Sequence, residues 1–150
     1  MDFQVLTVLK PETQDAIYGM LRAYNRASSP EFYSARELPG NAPQPLNVVA
    51  LDEQGLVLGG VIAETQFAWL KVTYLVVAPE RRRRGIGRRL MELAEQEATA
   101  RGCRYAYVDT MDYQAPTFYR KLGYQLAGQL DDWNSRGHAK CFFTKRLVGP

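Results

Sequence analysis

Histidine and cysteine are nearly absent from this chain, and their scarcity narrows its chemistry at once. A single histidine, His138, excludes a His-rich metal centre. The two cysteines, Cys103 and Cys141, are too few and too far apart for a disulfide framework or a metal knuckle. Both have apolar or aromatic neighbours and read as small core residues, so no metal is expected. No run approaches the ~20 apolar residues that a membrane-crossing helix needs, so no membrane partner is expected. Met1-Asp2-Phe3-Gln4 lacks the basic and apolar regions of a secretory leader, which leaves a cytoplasmic location as the expectation. Nor does either charge dominate. The net charge of +3 is too small to argue for nucleic acid by itself.

What is present suits one globular domain spanning 1–150, large enough to bury a core without staples. Phe3–Leu9 reads as a first strand, with Phe3 and Val5 on one face. Pro11 suits a helix start, and Ile17, Met20, Leu21 and Tyr24 recur at helical spacing, so a helix is expected to about Asn25. Residues 26–45 carry Ser28-Ser29-Pro30 and Pro39-Gly40, the marks of a loop, with a short helical turn near Glu31–Arg36. Asn47–Leu51, Leu56–Phe67 and Trp69–Ala78 read as an antiparallel meander. Ile86–Arg101 reads as a helix with an apolar stripe at Ile86, Leu90, Leu93, Ala94 and Ala98. Arg104–Thr110 is a strand, Gln114–Leu122 a short helix, and Tyr124–Gly128 and Lys140–Leu147 are closing strands. The order predicts a mixed sheet of the α/β (α+β) class flanked by helices.

The chemistry concentrates in one turn. Six of the 19 basic residues lie between Arg81 and Arg89. Within Val76-Val77-Ala78-Pro79-Glu80-Arg81-Arg82-Arg83-Arg84-Gly85-Ile86-Gly87, a buried strand stops and a helix begins. Free amides at a helix start attract anions, and the helix dipole adds about half a positive charge there. Gly85 and Gly87 let a phosphate oxygen approach the backbone, and the arginines offer forked donors. No Gly-Lys-Ser/Thr follows, so the turn is not a P-loop. The third glycine of a dinucleotide fingerprint falls at Leu90, so it is not that either. An arginine run is also a common nucleic-acid contact. That alternative, a binding module using Arg81–Arg89, does not require glycines at a helix head.

Arg82-x-x-Gly85-x-Gly87, preceded by Leu75-Val76-Val77-x-Pro79, resembles the acyl-CoA motif of the GNAT superfamily, the GCN5-related N-acetyltransferases. Ala115-x-x-Phe118-Tyr119-x-Lys121-Leu122-Gly123-Tyr124 resembles the family's second signature. The resemblance covers at least Asn47–Leu147. It implies a centrally splayed sheet, acyl-CoA N-acyltransferase-like, with acetyl-CoA as cosubstrate, an amine acceptor and a possible homodimer. The amides from Arg82 through Arg83, Arg84, Gly85 and Ile86 to Gly87 would bind the coenzyme pyrophosphate. Leu75, Val76 and Val77 would lie along the pantetheine arm, Ala115 and Asp112 would lie beside the coenzyme, and Tyr119 would protonate the leaving thiolate. A phenol with pKa near 10 is protonated at neutral pH and can do this. The family often has asparagine where this chain has Asp112, and commonly has glycine where it has Arg83.

Other candidates follow from the residues. Glu64, in an apolar strand, is the first candidate base, since burial raises a carboxyl toward neutrality. An outward-facing strand carboxylate is the competing reading. Asp109 is the second candidate. His138 reads as a surface residue. Trp69, Tyr107 and Trp133 are candidate pocket aromatics or core residues. Glu31, Glu37, Asp131 and Asp132, in two variable loops, would draw a cationic acceptor. A coenzyme-binding protein without catalysis is the remaining alternative.

Overall fold

Prolines start the first two helices. Pro11 lies in the first turn of α1 (Pro11–Ser28) and Pro30 in that of α2 (Pro30–Glu37), where a missing N–H breaks no hydrogen bond. The computed structural model describes Met1 and residues 3–147. Its chain falls into two units, Met1–Ala42 and the stretch from Pro43 onward. In the first unit, Arg26 Nη2 donates to Glu37 Oε1 at 3.0 Å, and its guanidinium lies 5.6 Å from the Tyr33 ring centre. Asn41 Nδ2 donates to Ala35 O, near the end of α2, at 2.7 Å. The helical turn expected near Glu31–Arg36 is thus a full helix of 8 residues. The strand expected at Phe3–Leu9 does not form; the segment is irregular, with a bend at Thr7 and Val8. Alternating Phe3 and Val5 specify which face a strand would bury, but alternation supplies no partner, and a strand without a ladder is not stable.

The second unit holds six strands among the described residues: β1 (Gln44–Leu51), β2 (Val57–Gln66), β3 (Trp69–Val77), β4 (Tyr105–Met111), β5 (Gln125–Leu130) and β6 (Lys140–Arg146). Their spatial order is β1-β2-β3-β4-β6-β5. β1, β2 and β3 form the expected antiparallel meander. β3 and β4 are parallel, which requires a crossover, and α3 (Ile86–Ala100) supplies it. A short α4 (Pro116–Lys121) leads to β5, and β6 runs antiparallel to both β4 and β5.

α3 packs over β1, β2 and β3. It buries Leu90, Met91, Ala94 and Ala98. Met91 takes the place expected of Leu93, because positions 91, 94 and 98 are spaced three and four apart and share one stripe. Opposite them lie Leu46, Val61, Ala63, Leu70 and Val72, all nearly inaccessible. Removing one of the larger of these side chains would cost about 2–5 kcal/mol. Arg101 ties the end of α3 down: its Nη1 donates to Pro45 O at 2.9 Å and its Nε to Glu97 Oε1 at 2.7 Å.

The strands alternate. Val61, Ala63 and Thr65 of β2 and Ala106, Val108 and Thr110 of β4 are buried, while Ile62, Glu64 and Gln66 and Tyr105, Tyr107 and Asp109 are more accessible on the other face. This second face carries the charged groups discussed below.

Candidate active site

The ladder between β3 and β4 is short. It runs from Trp69↔Tyr105 to Val72↔Val108 and stops. Beyond that point β3 stays with β2 as far as Val77↔Gly59, and β4 stays with β6 as far as Met111↔Lys140. The sheet therefore opens into a wedge, as the splayed-sheet expectation requires. A cleft of about 1270 Å³ occupies it, with Leu75, Val77 and Val108 among its walls. Leu75 and Val77 are half-buried against the core, and Val76 is exposed on the opposite side of its strand.

Close packing shapes the end of β3. A Cβ on Gly59 would stand 2.6 Å from Val76 O, so only glycine lets β2 approach there. Past Val77 the chain makes one 3-10 turn, Pro79–Arg81, and reaches α3. Arg83 and Gly85 both take left-handed backbone, φ 63° and 81°. Glycine adopts this freely; for Arg83 it costs about 1–2 kcal/mol. That cost accounts for glycine being common at this place in the motif.

The twisted turn leaves its amides free. Arg82 N–H bonds to Pro79 O at 3.3 Å, and Arg89 N–H is the first to bond within α3, to Gly85 O at 3.0 Å. Between them, the N–H groups of Arg83 through Arg88 have no acceptor among the described residues. The free run is thus displaced one residue from the expected Arg82–Gly87, because Arg82 spends its amide inside the turn. Its side chain has a structural task too: Nε donates to Val77 O at 3.1 Å. Successive free amides at a helix head form an anion cradle. Arg81, Arg82, Arg83, Gly85, Ile86, Gly87 and Arg88 line the cleft, whereas Arg84 does not. Gly87 allows close contact with α4, since a Cβ there would meet Phe118 Cζ at 3.4 Å.

Tyr119, from α4, and Asp109, from β4, line the same cleft. Tyr119 is 5% exposed, with its ring against Phe118, Tyr124 and Phe143 at centroid distances of 5.3, 5.8 and 6.1 Å. Burial, and then the charge of Asp109, push its phenol up to about 12. Gln114 fixes the approach to α4: its Oε1 accepts from Met111 N–H at 2.9 Å and from Thr110 Oγ1 at 3.1 Å. Ala115, just before α4, also lines the cleft.

Asp109 is engaged on both oxygens. Tyr107 OH donates to Oδ2 at 3.1 Å, and Lys140 Nζ lies 3.0 Å from Oδ1. Desolvation first, and then Asp109, push the Tyr107 phenol to about 12, so it remains the donor. The Lys140 ammonium also faces two rings, 5.0 Å from the Trp133 centroid and 5.8 Å from that of Phe142.

The remaining candidates are dispersed. Glu64 Oε1 is 3.6 Å from Lys71 Nζ on the second face of the sheet and does not line the cleft. The register Glu64↔Lys71 and Lys71↔Tyr107 nonetheless puts it in the cross-strand row that reaches Tyr107. Asp112 also lies outside the cleft lining. Its carboxylate accepts Ala139 N–H at 3.0 Å and meets His138 Nδ1 at 3.0 Å, and these partners, Ala139 first, hold its pKa below the usual range. His138 and Asp112 together pin the segment that carries Trp133. Trp69 stacks on Tyr105 at 4.9 Å. Glu37 is paired with Arg26, Asp131 accepts from Gln129 Nε2 at 2.6 Å, and Asp132 accepts Gly137 N–H at 2.6 Å. Sequence reasoning missed Lys140 and Phe142; the one available signal was their place near the start of the last strand, opposite Asp109 and Met111.

A parallel pair that opens at mid-sheet, a row of free amides at the adjoining helix head and a buried phenol define an acyltransferase fold. The model of the acetyltransferase (GNAT) domain matches residues 44–126, and the chain belongs to this family. It is 37% identical over 117 residues to the blasticidin-S acetyltransferase of Streptomyces morookaense, covering 75% of this chain and 86% of that protein. Among solved structures, an acetyltransferase from Bacillus cereus superposes with a TM-score of 0.76 at 28% identity, over 96% of this chain and 98% of its own. An aminoglycoside 6'-N-acetyltransferase complexed with coenzyme A shares the fold, with a TM-score of 0.63 at 23% identity over 100% of this chain and 99% of its own.

Proposed function

We propose that this chain moves the acetyl group of acetyl-CoA directly to a primary amine of a small molecule, with Tyr119 as general acid. The run of free amides from Arg83 to Arg88, opening onto a wedge that also holds Tyr119, carries the reading. The coenzyme pyrophosphate takes those amides, with Arg81 and Arg88 beside it. The pantetheine arm lies along Leu75–Val77, where β3 has lost β4 as a partner. The acceptor nitrogen attacks the thioester carbonyl, the carbon–sulfur bond breaks, and the thiolate takes the Tyr119 proton. The acceptor amine gives up its own proton by way of water to Glu64. Asp109 is less suited to that task, because Lys140 and Tyr107 already engage both of its oxygens; Glu64 has a single contact, at 3.6 Å. The named substrate of the Streptomyces relative supports a small-molecule acceptor.

Thermal shift with acetyl-CoA and free-thiol release across a panel of amines test the reading. A raised melting temperature with thiol release is expected. A shift with no release from any amine would leave a coenzyme-binding protein without catalysis. No shift, with duplex binding that falls steeply with salt, would leave the nucleic-acid reading of Arg81–Arg89.

A further inference from the structure

We propose that Asp109, Trp133 and Phe142 form a subsite for a positive charge on the acceptor, distinct from the amine that is acetylated, and that Lys140 fills this subsite until the acceptor arrives. The inference rests on the acetyl-transfer reading and names its substrate class: amines with a second cationic group.

Three observations carry it. First, Lys140 Nζ has a carboxylate at 3.0 Å and two aromatic faces at 5.0 and 5.8 Å, the surroundings that recognise an ammonium ligand. Second, Asp109 lines the cleft that holds Tyr119, while Trp133, Lys140 and Phe142 lie outside that lining, so the subsite borders the cleft at Asp109. Third, of the two groups on Asp109, only Lys140 can be exchanged for a cation, since Tyr107 is a neutral donor on the same strand. The exchange is favourable in kind. One ammonium replaces another, so the half-buried Asp109 is never left without a partner, and the Lys140 side chain, already 25% exposed, swings into water. Trp133 is 55% exposed and open to an incoming molecule. Its loop is nevertheless held in place: Asn134 Oδ1 accepts Arg136 N–H at 3.0 Å, and Asp112 anchors His138 and Ala139. The ring is thus placed ahead of binding.

The test is calorimetric titration of cadaverine and of hexylamine into protein saturated with coenzyme A. The two amines match in length, and only cadaverine carries the second charge. Cadaverine is expected to bind about tenfold tighter or better, as the loss of a charged contact implies. Lys140→Met, which removes the resident competitor, is expected to tighten cadaverine severalfold and leave hexylamine unchanged. Trp133→Leu is expected to weaken cadaverine about two- to fivefold, the range for an exposed cation–aromatic contact. Asp109→Asn is expected to abolish the preference. Equal affinities, no binding of either amine, or weaker cadaverine binding by Lys140→Met would overturn the proposal. With acetyl-CoA still raising the melting temperature, any of these sinks the subsite alone; no coenzyme shift at all sinks the acetyl-transfer reading beneath it.

Discussion

Replacing Tyr119 with phenylalanine removes one oxygen and keeps the ring against Phe118, Tyr124 and Phe143. The structure sets the size of the effect. As the proposed acid, a phenol raised to about 12 would give its proton uphill to a thiolate whose conjugate thiol has an ordinary pKa of about 8.5. That gap of about 3.5 units is roughly 5 kcal/mol against complete transfer. On the proposed role, the phenol would act mainly by a hydrogen bond that tightens as charge builds on sulfur. A bond to a charged group contributes about 1.5–3 kcal/mol, so Tyr119→Phe should lower kcat about 10- to 100-fold, at the lower end of what an acid supplies. KM for acetyl-CoA and the melting temperature should hold. The wild-type kcat should not decline through pH 10, because a phenol at about 12 is still protonated there. Steady-state kinetics by free-thiol release, from neutral pH upward, measure both. A kcat changed less than twofold, or a wild-type loss centred near pH 10, would refute the assignment.

Gly59→Ala would drive its Cβ to 2.6 Å from Val76 O and force β2 and β3 apart, costing about 1–3 kcal/mol. Thermal melting should show a loss of several degrees, whereas Gly128→Ala, with nothing within 4 Å, should melt like wild type. Lys145→Met would strand the Glu95 carboxylate, now 2.6 Å from Lys145 Nζ and largely buried, at a cost of about 3 kcal/mol. Urea unfolding should register that loss and its recovery in the double variant with Glu95→Leu. Asp112→Ala should leave the acetyl-CoA affinity unchanged, since the side chain serves the Trp133 loop. The folded carboxyl lies below its ordinary 3.8, so its stabilisation is present above that value and lost as pH falls through the folded one. The melting difference between wild type and Asp112→Ala should accordingly be full at neutral pH and vanish in strong acid.

Local rules made much of this molecule legible. The 3.6-residue stripe of α3, the glycines beside it and the alternating strands of the meander are written in neighbouring residues, and they place the anion cradle. What was not legible depends on partners distant in sequence. Phe3–Leu9 alternates like a strand yet has no ladder. Met91 displaced Leu93 because the surface beneath α3, not the helix, selects the buried stripe. The Arg82 amide bonds to Pro79 O, a turn bond that spacing does not reveal. Asp112 went to His138 and Ala139, and Lys140 to Asp109, each pairing residues more than twenty positions apart. The family signature bears on the coenzyme; the charges around Asp109 lie outside it.

The four residue pairs that join β3 to β4 leave the sheet as two leaves sharing a short spine. A ligand arm with amides of its own would sew the open margin, serving as the strand that the polypeptide does not supply. Amide protons of Thr73–Val77 should then exchange with solvent more slowly once acetyl-CoA is bound, while those of β1, at the outer margin, keep their pace. The enzyme would be most rigid while loaded, and releasing spent coenzyme A would mean parting a seam of backbone hydrogen bonds as well as a phosphate contact.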